Sequence, residues 1–131
     1  MANTRLTIVV RKDLHLPVGL LVAQCCHMSD SFMRKAIERA DPTTCLQDMF
    51  TQEEIDWTKD PYLSVLGVES YEELRHTEKL CDQNNVPYRV WEDVIPTTSF
   101  EGTDLKFRIG ISIGPEDFDK IKLVTSPLKL Y

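Results

Sequence analysis

The order of apolar segments predicts an α/β protein. Short β-branched or aromatic runs at residues 6–10, 62–68, 87–92 and 106–113 alternate with stretches whose apolar residues recur every three or four positions. The connections between them are short and punctuated by Pro, Gly and Asn. The chain has 131 residues, 42% hydrophobic and 27% charged, which suits one soluble domain around one core. This alternation predicts a largely parallel sheet covered by helices on both faces, with the closely spaced third and fourth strands as one antiparallel pair.

Each element has its own signal. Residues 6–10, LTIVV, are apolar and β-branched enough for a buried strand. Arg11, Lys12 and Asp13 end it, and Pro17 and Gly19 mark a loop. Leu21, Ala23 or Gln24, Met28, Phe32, Ala36 and Ile37 then follow helical spacing, predicting one helix over 19–40 that stops at Asp41-Pro42. Across 43–60, Thr44-x-x-Gln47 and Thr51-x-x-Glu54 resemble capping boxes. They predict one or two short helices with Leu46, Met49, Phe50, Ile55 and Trp57 turned inward. Residues 62–68, YLSVLGV, form the second strand. The box Ser70-Tyr71-Glu72-Glu73 opens a helix to about residue 83, with Leu74, Thr77, Leu80 and Cys81 buried, His76 on the surface, and Asn84-Asn85 at its end.

Residues 87–92, PYRVWE, make a third strand ending at Asp93, followed by a polar loop over 96–104. Residues 106–113, KFRIGISI, alternate as a fourth strand. Gly114-Pro115 is read as the turn into a last helix, with Glu116 and Asp117 in its first turn and Phe118, Ile121 and Val124 on its apolar side. The tail LKLY is short and apolar enough to be tied down.

Composition excludes several roles. No apolar run reaches the length of a membrane span, and the N-terminus lacks the pattern of a secretory signal, so a cytoplasmic protein is expected. Cys25, Cys26, Cys45 and Cys81 have no metal-ligand spacing and read as buried, reduced thiols. The net charge of −6 argues against binding nucleic acid by bulk charge. Its distribution is uneven: residues 1–40 and 105–131 are basic, while 41–104 hold most of the acid. If the two basic ends meet in the fold, the acidic middle must face elsewhere.

Chemistry concentrates where the first strand runs through a charged loop into the first helix. Ligands bind at the carboxyl ends of strands in open α/β sheets. His27 lies on that helix, Asp93 at the end of the third strand, and Thr97 four residues beyond. If the first and third strands are parallel neighbours, these three converge. A histidine with a carboxylate partner can activate water, and a hydroxyl can hold that water or donate to developing charge. The plainer reading is a helix histidine, a turn aspartate and a loop cap.

Three blocks give the chain a resemblance to type II peptidyl-tRNA hydrolases. The first is VVRKDLHLPVGLLVAQCCH, with Val-Arg-x-Asp-Leu, a glycine, then Ala-Gln-x-x-His. The second is Glu92-Asp93 with Thr97. The third runs from Ile113-Gly114-Pro115 to VTSPLKLY. The resemblance implies a three-layer α/β/α domain with a four-stranded mixed sheet, often dimeric. It implies hydrolysis of the ester joining a peptide to the tRNA 3′ ribose, with no metal or organic cofactor. Gln24 and His27 match the helix motif, Asp93 and Thr97 the other side of the site, and Arg11 and Asp13, flanking Lys12, the loop after the first strand. His27, Asp93 and Thr97 are then the catalytic candidates, and Arg11, Lys12, Asp13 and Gln24 the substrate-binding ones.

The sequence also departs from the family pattern. Where that pattern has Gly-Lys-Gly-Lys, this chain has Pro17-Val18-Gly19-Leu20, and its Gly-Arg-Thr is Ile95-Pro96-Thr97 here. The loop before Ile113 and the acidic stretch 43–60 also look longer. The substitutions remove positive charge where tRNA would lie, which weakens phosphate binding. Two other readings therefore stand beside tRNA hydrolysis: a hydrolase of a smaller ester or amide ligand, and a non-catalytic binding protein on the same scaffold. Clustering of Arg11, Lys12, Lys106 and Arg108 near His27 would favour tRNA. An apolar pocket beside His27 would favour a small molecule.

Overall fold

The computed structural model describes residues 3–95 and 106–131. The loop read at 96–104, and Thr97 with it, lies outside the described residues. The elements run β1 (Thr4–Arg11), α1 (Val18–Ser29), α2 (Ser31–Arg39), α3 (Leu46–Met49), α4 (Gln52–Lys59), β2 (Leu63–Val68), α5 (Tyr71–Gln83), β3 (Tyr88–Val94), β4 (Lys106–Asp117), α6 (Phe118–Thr125) and β5 (Lys129–Leu130).

The sheet has five strands in the order β3-β4-β1-β2-β5, one more than the four the sequence predicts. The addition is the tail, where Lys129 and Leu130 pair antiparallel with Gly67 and Leu66. Two residues are too few to show a periodicity. The sheet is mixed, not largely parallel: β1 and β2 pair in parallel, while β4 runs antiparallel to both β1 and β3. Thus β4 separates the two strands expected to be neighbours. Because it opposes both, β1 and β3 still point the same way. Arg11 and Asp93 therefore reach the same end of the sheet.

Burial follows the pleat. Val9, Leu66 and Val68 pack with Leu74 and Cys81 of α5 and Ile121 and Val124 of α6. Ile8 and Val10 pack with Met28 of α1. A third cluster joins Leu6 to Phe32 of α2 and Trp57 of α4. In β4 the alternation is broken. Trp91 pairs with Gly110 but Glu92 pairs with Arg108, so Ile109 is an extra residue. Ile111 and Ile113 consequently pack with the α5 and α6 cluster, whereas Phe107 and Ile109 pack with the α1 cluster. Gly110 sits where a Cβ would run into the Val9 carbonyl oxygen.

Other elements depart from the sequence reading for local reasons. The helix predicted over 19–40 is two helices, parted at Asp30 (φ −102°, ψ 5°). Ser29 and Ser31 there turn their hydroxyls onto the carbonyls of Cys26 and Met28, competing with the helical ladder. The Thr51 capping box forms in full, but Thr44 bonds with Asp41 instead of capping α3. Leu46, expected inside, is 61% exposed on a one-turn helix with little to pack against. Gly114-Pro115 lies within β4, which continues to pair with β1 as far as Asp117. Asp117 caps α6 by accepting from the Asp119 N–H, so Glu116 belongs to the strand rather than to the helix's first turn.

Candidate active site

The candidate residues sit on two strand ends and one helix. Asp93 belongs to β3, opposite Phe107 of β4 and one pair short of the end of that ladder. Its carboxylate accepts from its neighbour's backbone, Val94 N–H to Oδ1 at 2.8 Å, and from Gln24 Nε2 to Oδ2 at 3.0 Å. Gln24 is 2% exposed, on the side of α1 that also buries Met28. Its amide oxygen takes the indole N–H of Trp91. Alternation along β3 puts Trp91 and Asp93 on one face, the face covered by α1.

His27, one helical turn beyond Gln24, is exposed and stacks on Trp91 with centroids 5.2 Å apart and planes 20° off parallel. The Arg34 guanidinium also lies against this indole, 5.3 Å from its centroid. Arg34 donates to the His27 carbonyl and pairs with Asp30 at 2.8 Å. Gln24, His27, Trp91 and Asp93 thus form one connected group. Its links are Asp93 to Gln24, Gln24 to Trp91, and Trp91 to His27. Among the described residues no hydrogen bond or ion pair joins His27 directly to Asp93. Thr97 lies outside the described residues.

The basic candidates of the loop turn elsewhere. Arg11 forms a two-pronged pair with Asp13 (3.1 and 2.7 Å) and donates to the Arg108 carbonyl at 3.3 Å. That hydrogen bond and charge hold the Asp13 carboxyl below its ordinary range despite partial burial. Lys12 pairs with Glu69 at 3.7 Å. Arg108 forms an ion pair with Glu78 of α5, which Arg75 joins at 3.3 Å. Burial opposes the charge on Arg108, but Glu78 outweighs it and raises its pKa. Arg11 and Arg108 therefore cluster with each other and with acids on the α5 side, while His27 rests on the α1 side.

Further along the β3 row, Arg89 anchors the start of α2. It donates to Ser31 Oγ at 2.9 Å, to Ser112 Oγ at 3.2 Å and to the Gly114 carbonyl. Burial pushes its guanidinium down to about 10, with Glu54 opposing. Trp91, Arg34 and Glu78 were not singled out from sequence. Trp91 carried a usable signal, because it stands two residues before Asp93 on a strand and must share its face. Glu78 carried none, since a charged residue on a helix is ordinarily exposed.

An apolar groove of about 500 Å³ runs along the other side of α1, lined by Leu21, Val22, Cys25, Cys26, Leu130 and Tyr131 among others. Val18, in place of the family's first loop lysine, is 78% exposed; Leu20, in place of the second, packs on the α1 cluster. Among the described residues no helix is long and apolar enough to cross a membrane, and no group of three His, Cys, Asp or Glu is placed to hold a metal ion.

The protein is of the α/β class with a mixed five-stranded sheet, and an Asp–Gln–Trp–His group lies at the carboxyl end of β3. The family model described as peptidyl-tRNA hydrolase PTH2 matches residues 4–131, and the chain belongs to that family. No curated relative matches it.

Proposed function

We propose that this protein hydrolyses the ester between a peptide and the 3′ ribose of a tRNA. The observation that carries this reading is the Gln24–Asp93 hydrogen bond. It joins residues 69 positions apart, from two separate motif blocks, at one end of the sheet. Asp93 or His27 takes a proton from water as the water oxygen bonds to the ester carbonyl carbon. The carbonyl–O3′ bond then breaks, and the ribose oxygen leaves with that proton. Gln24 holds the carboxylate in place, and Thr97 assists by hydrogen bonding to the water or to the developing oxyanion. No cofactor enters the step. Arg11, Lys12 and Asp13, at the same end of the sheet, are the proposed substrate contacts, which they make by giving up their present ion pairs with each other and with Glu69. The same reading takes the domain as three-layered, cytoplasmic and homodimeric.

The apolar groove beside α1 supports a second reading, in which the fold binds a small ligand or a partner protein and has lost the hydrolytic step. The deciding experiment is cleavage of an N-blocked aminoacyl-tRNA by the purified protein beside Asp93→Ala and His27→Ala. The expected result is cleavage by the wild type that drops about a hundredfold in at least one variant, the scale of a lost general base. A folded wild-type protein with no cleavage above background at low salt would leave the second reading standing.

A further inference from the structure

We propose that Trp91 is a positioning residue of this site: its indole N–H fixes the amide of Gln24 so that Gln24 Nε2 is aimed at Asp93. The inference rests on the hydrolase reading and deepens it. An indole nitrogen can donate a hydrogen bond and cannot accept one. Its bond to Gln24 therefore meets the amide oxygen, and the amide nitrogen must point the other way, toward Asp93 Oδ2 at 3.0 Å. Gln24 is 2% exposed, so water is not at hand to replace a lost partner. Without the indole N–H, the Gln24 oxygen is left buried and unpaired, which drives the side chain to move and releases one oxygen of the carboxylate.

The same ring supports the other catalytic candidate. His27 stacks on it at 5.2 Å, while Arg34 lies 5.3 Å from its centroid and bonds back to the His27 carbonyl. One side chain thus holds Asp93 through Gln24 and confines the His27 ring by contact. Trp91 touches neither water nor ester in this scheme. It acts through its neighbours, and rate rather than substrate affinity should register its loss.

The test combines kinetics and proton exchange. Trp91→Phe keeps an aromatic ring and removes only the N–H side. It should lower kcat about tenfold, the scale of one net hydrogen bond, with KM within about twofold. Gln24→Leu, close in size, neither accepts from the indole nor donates to Asp93, and it should lower kcat at least as far. Trp91→Phe on top of Gln24→Ala should add little, because both act through one chain of bonds. Fluorescence of Trp57, buried and bonded to the Tyr62 carbonyl, reports that Trp91→Phe is folded, and far-ultraviolet circular dichroism does so for the Gln24 variants. By NMR the Trp91 indole proton should exchange slowly in the wild type and quickly in Gln24→Ala. A folded Trp91→Phe with wild-type kcat, or an indole proton that exchanges freely in the wild type, overturns the inference. If the wild type cleaves no ester, the hydrolase reading fails separately, and the exchange experiment alone decides whether Trp91 orients Gln24.

Discussion

Single residues here owe their behaviour to burial more than to type. The four cysteines show it. Cys26 and Cys45 are exposed, Cys25 is half-buried and Cys81 is fully buried, so the expectation of four buried thiols holds for one. Burial raises the Cys25 thiol, with the neighbouring Cys26 adding to it, and pushes Cys81 up to about 12, with Asp82 and Glu78 adding. The folded chain therefore keeps a proton on Cys81 that the unfolded chain releases near 9. This contribution to stability is complete below that pH and disappears as pH rises toward about 12. Urea midpoints should fall across that window, and Cys81→Ala should remove that part of the slope. Under native conditions a thiol reagent should label Cys26 and Cys45 first and Cys81 only on unfolding.

Elements are joined by contacts that no single segment reveals. Glu78 lies on the inward side of α5, its carboxylate shared by Arg108 of β4 and Arg75, while among the described residues its second oxygen has no hydrogen-bond partner. Arg108 can reach it because the bulge at Ile109 reverses the faces of β4. Removing one member of such a pair strands a buried charge, which costs roughly 3–5 kcal/mol. Arg108→Met, which takes the nearer cation from the buried Glu78, should lower unfolding stability by about that amount. Glu78→Leu combined with Arg108→Met should recover much of it. Equal loss in the single and double variants, measured by urea unfolding, would show that packing rather than charge dominates there.

For the whole molecule, the question is where its charge goes. The basic ends do meet, since β1 pairs with β4 and Arg11 bonds to Arg108. Their cations are nevertheless spent on acids: Arg11 on Asp13, Lys12 on Glu69, Arg108 on Glu78. With a net charge of −6, and Val18 and Leu20 where the family pattern has lysines, this end of the molecule offers few free cations to phosphates. Binding of tRNA should therefore weaken only mildly with salt, with a log–log slope of about −3 or shallower, corresponding to three or four phosphate contacts. A slope of −6 or steeper between about 50 and 200 mM salt would mean that a basic surface forms which these ion pairs do not suggest.

Much of this architecture is local and was legible as such. The apolar β-branched runs, the Ser70 and Thr51 caps and the positive-φ stop at Asn85 act over a few residues, and the sequence determines them. The motif blocks around Gln24, His27 and Asp93 likewise marked the family, because spacing on one helix and one strand survives without knowing the fold. Pairing partners are different. That β4 enters between β1 and β3, that the tail adds a fifth strand, and that Arg11 turns to α5 while His27 rests on Trp91 all depend on long-range contacts. Strand order and the bulge in β4 are settled by how whole faces bury against each other, and that choice is made only when the chain has come together.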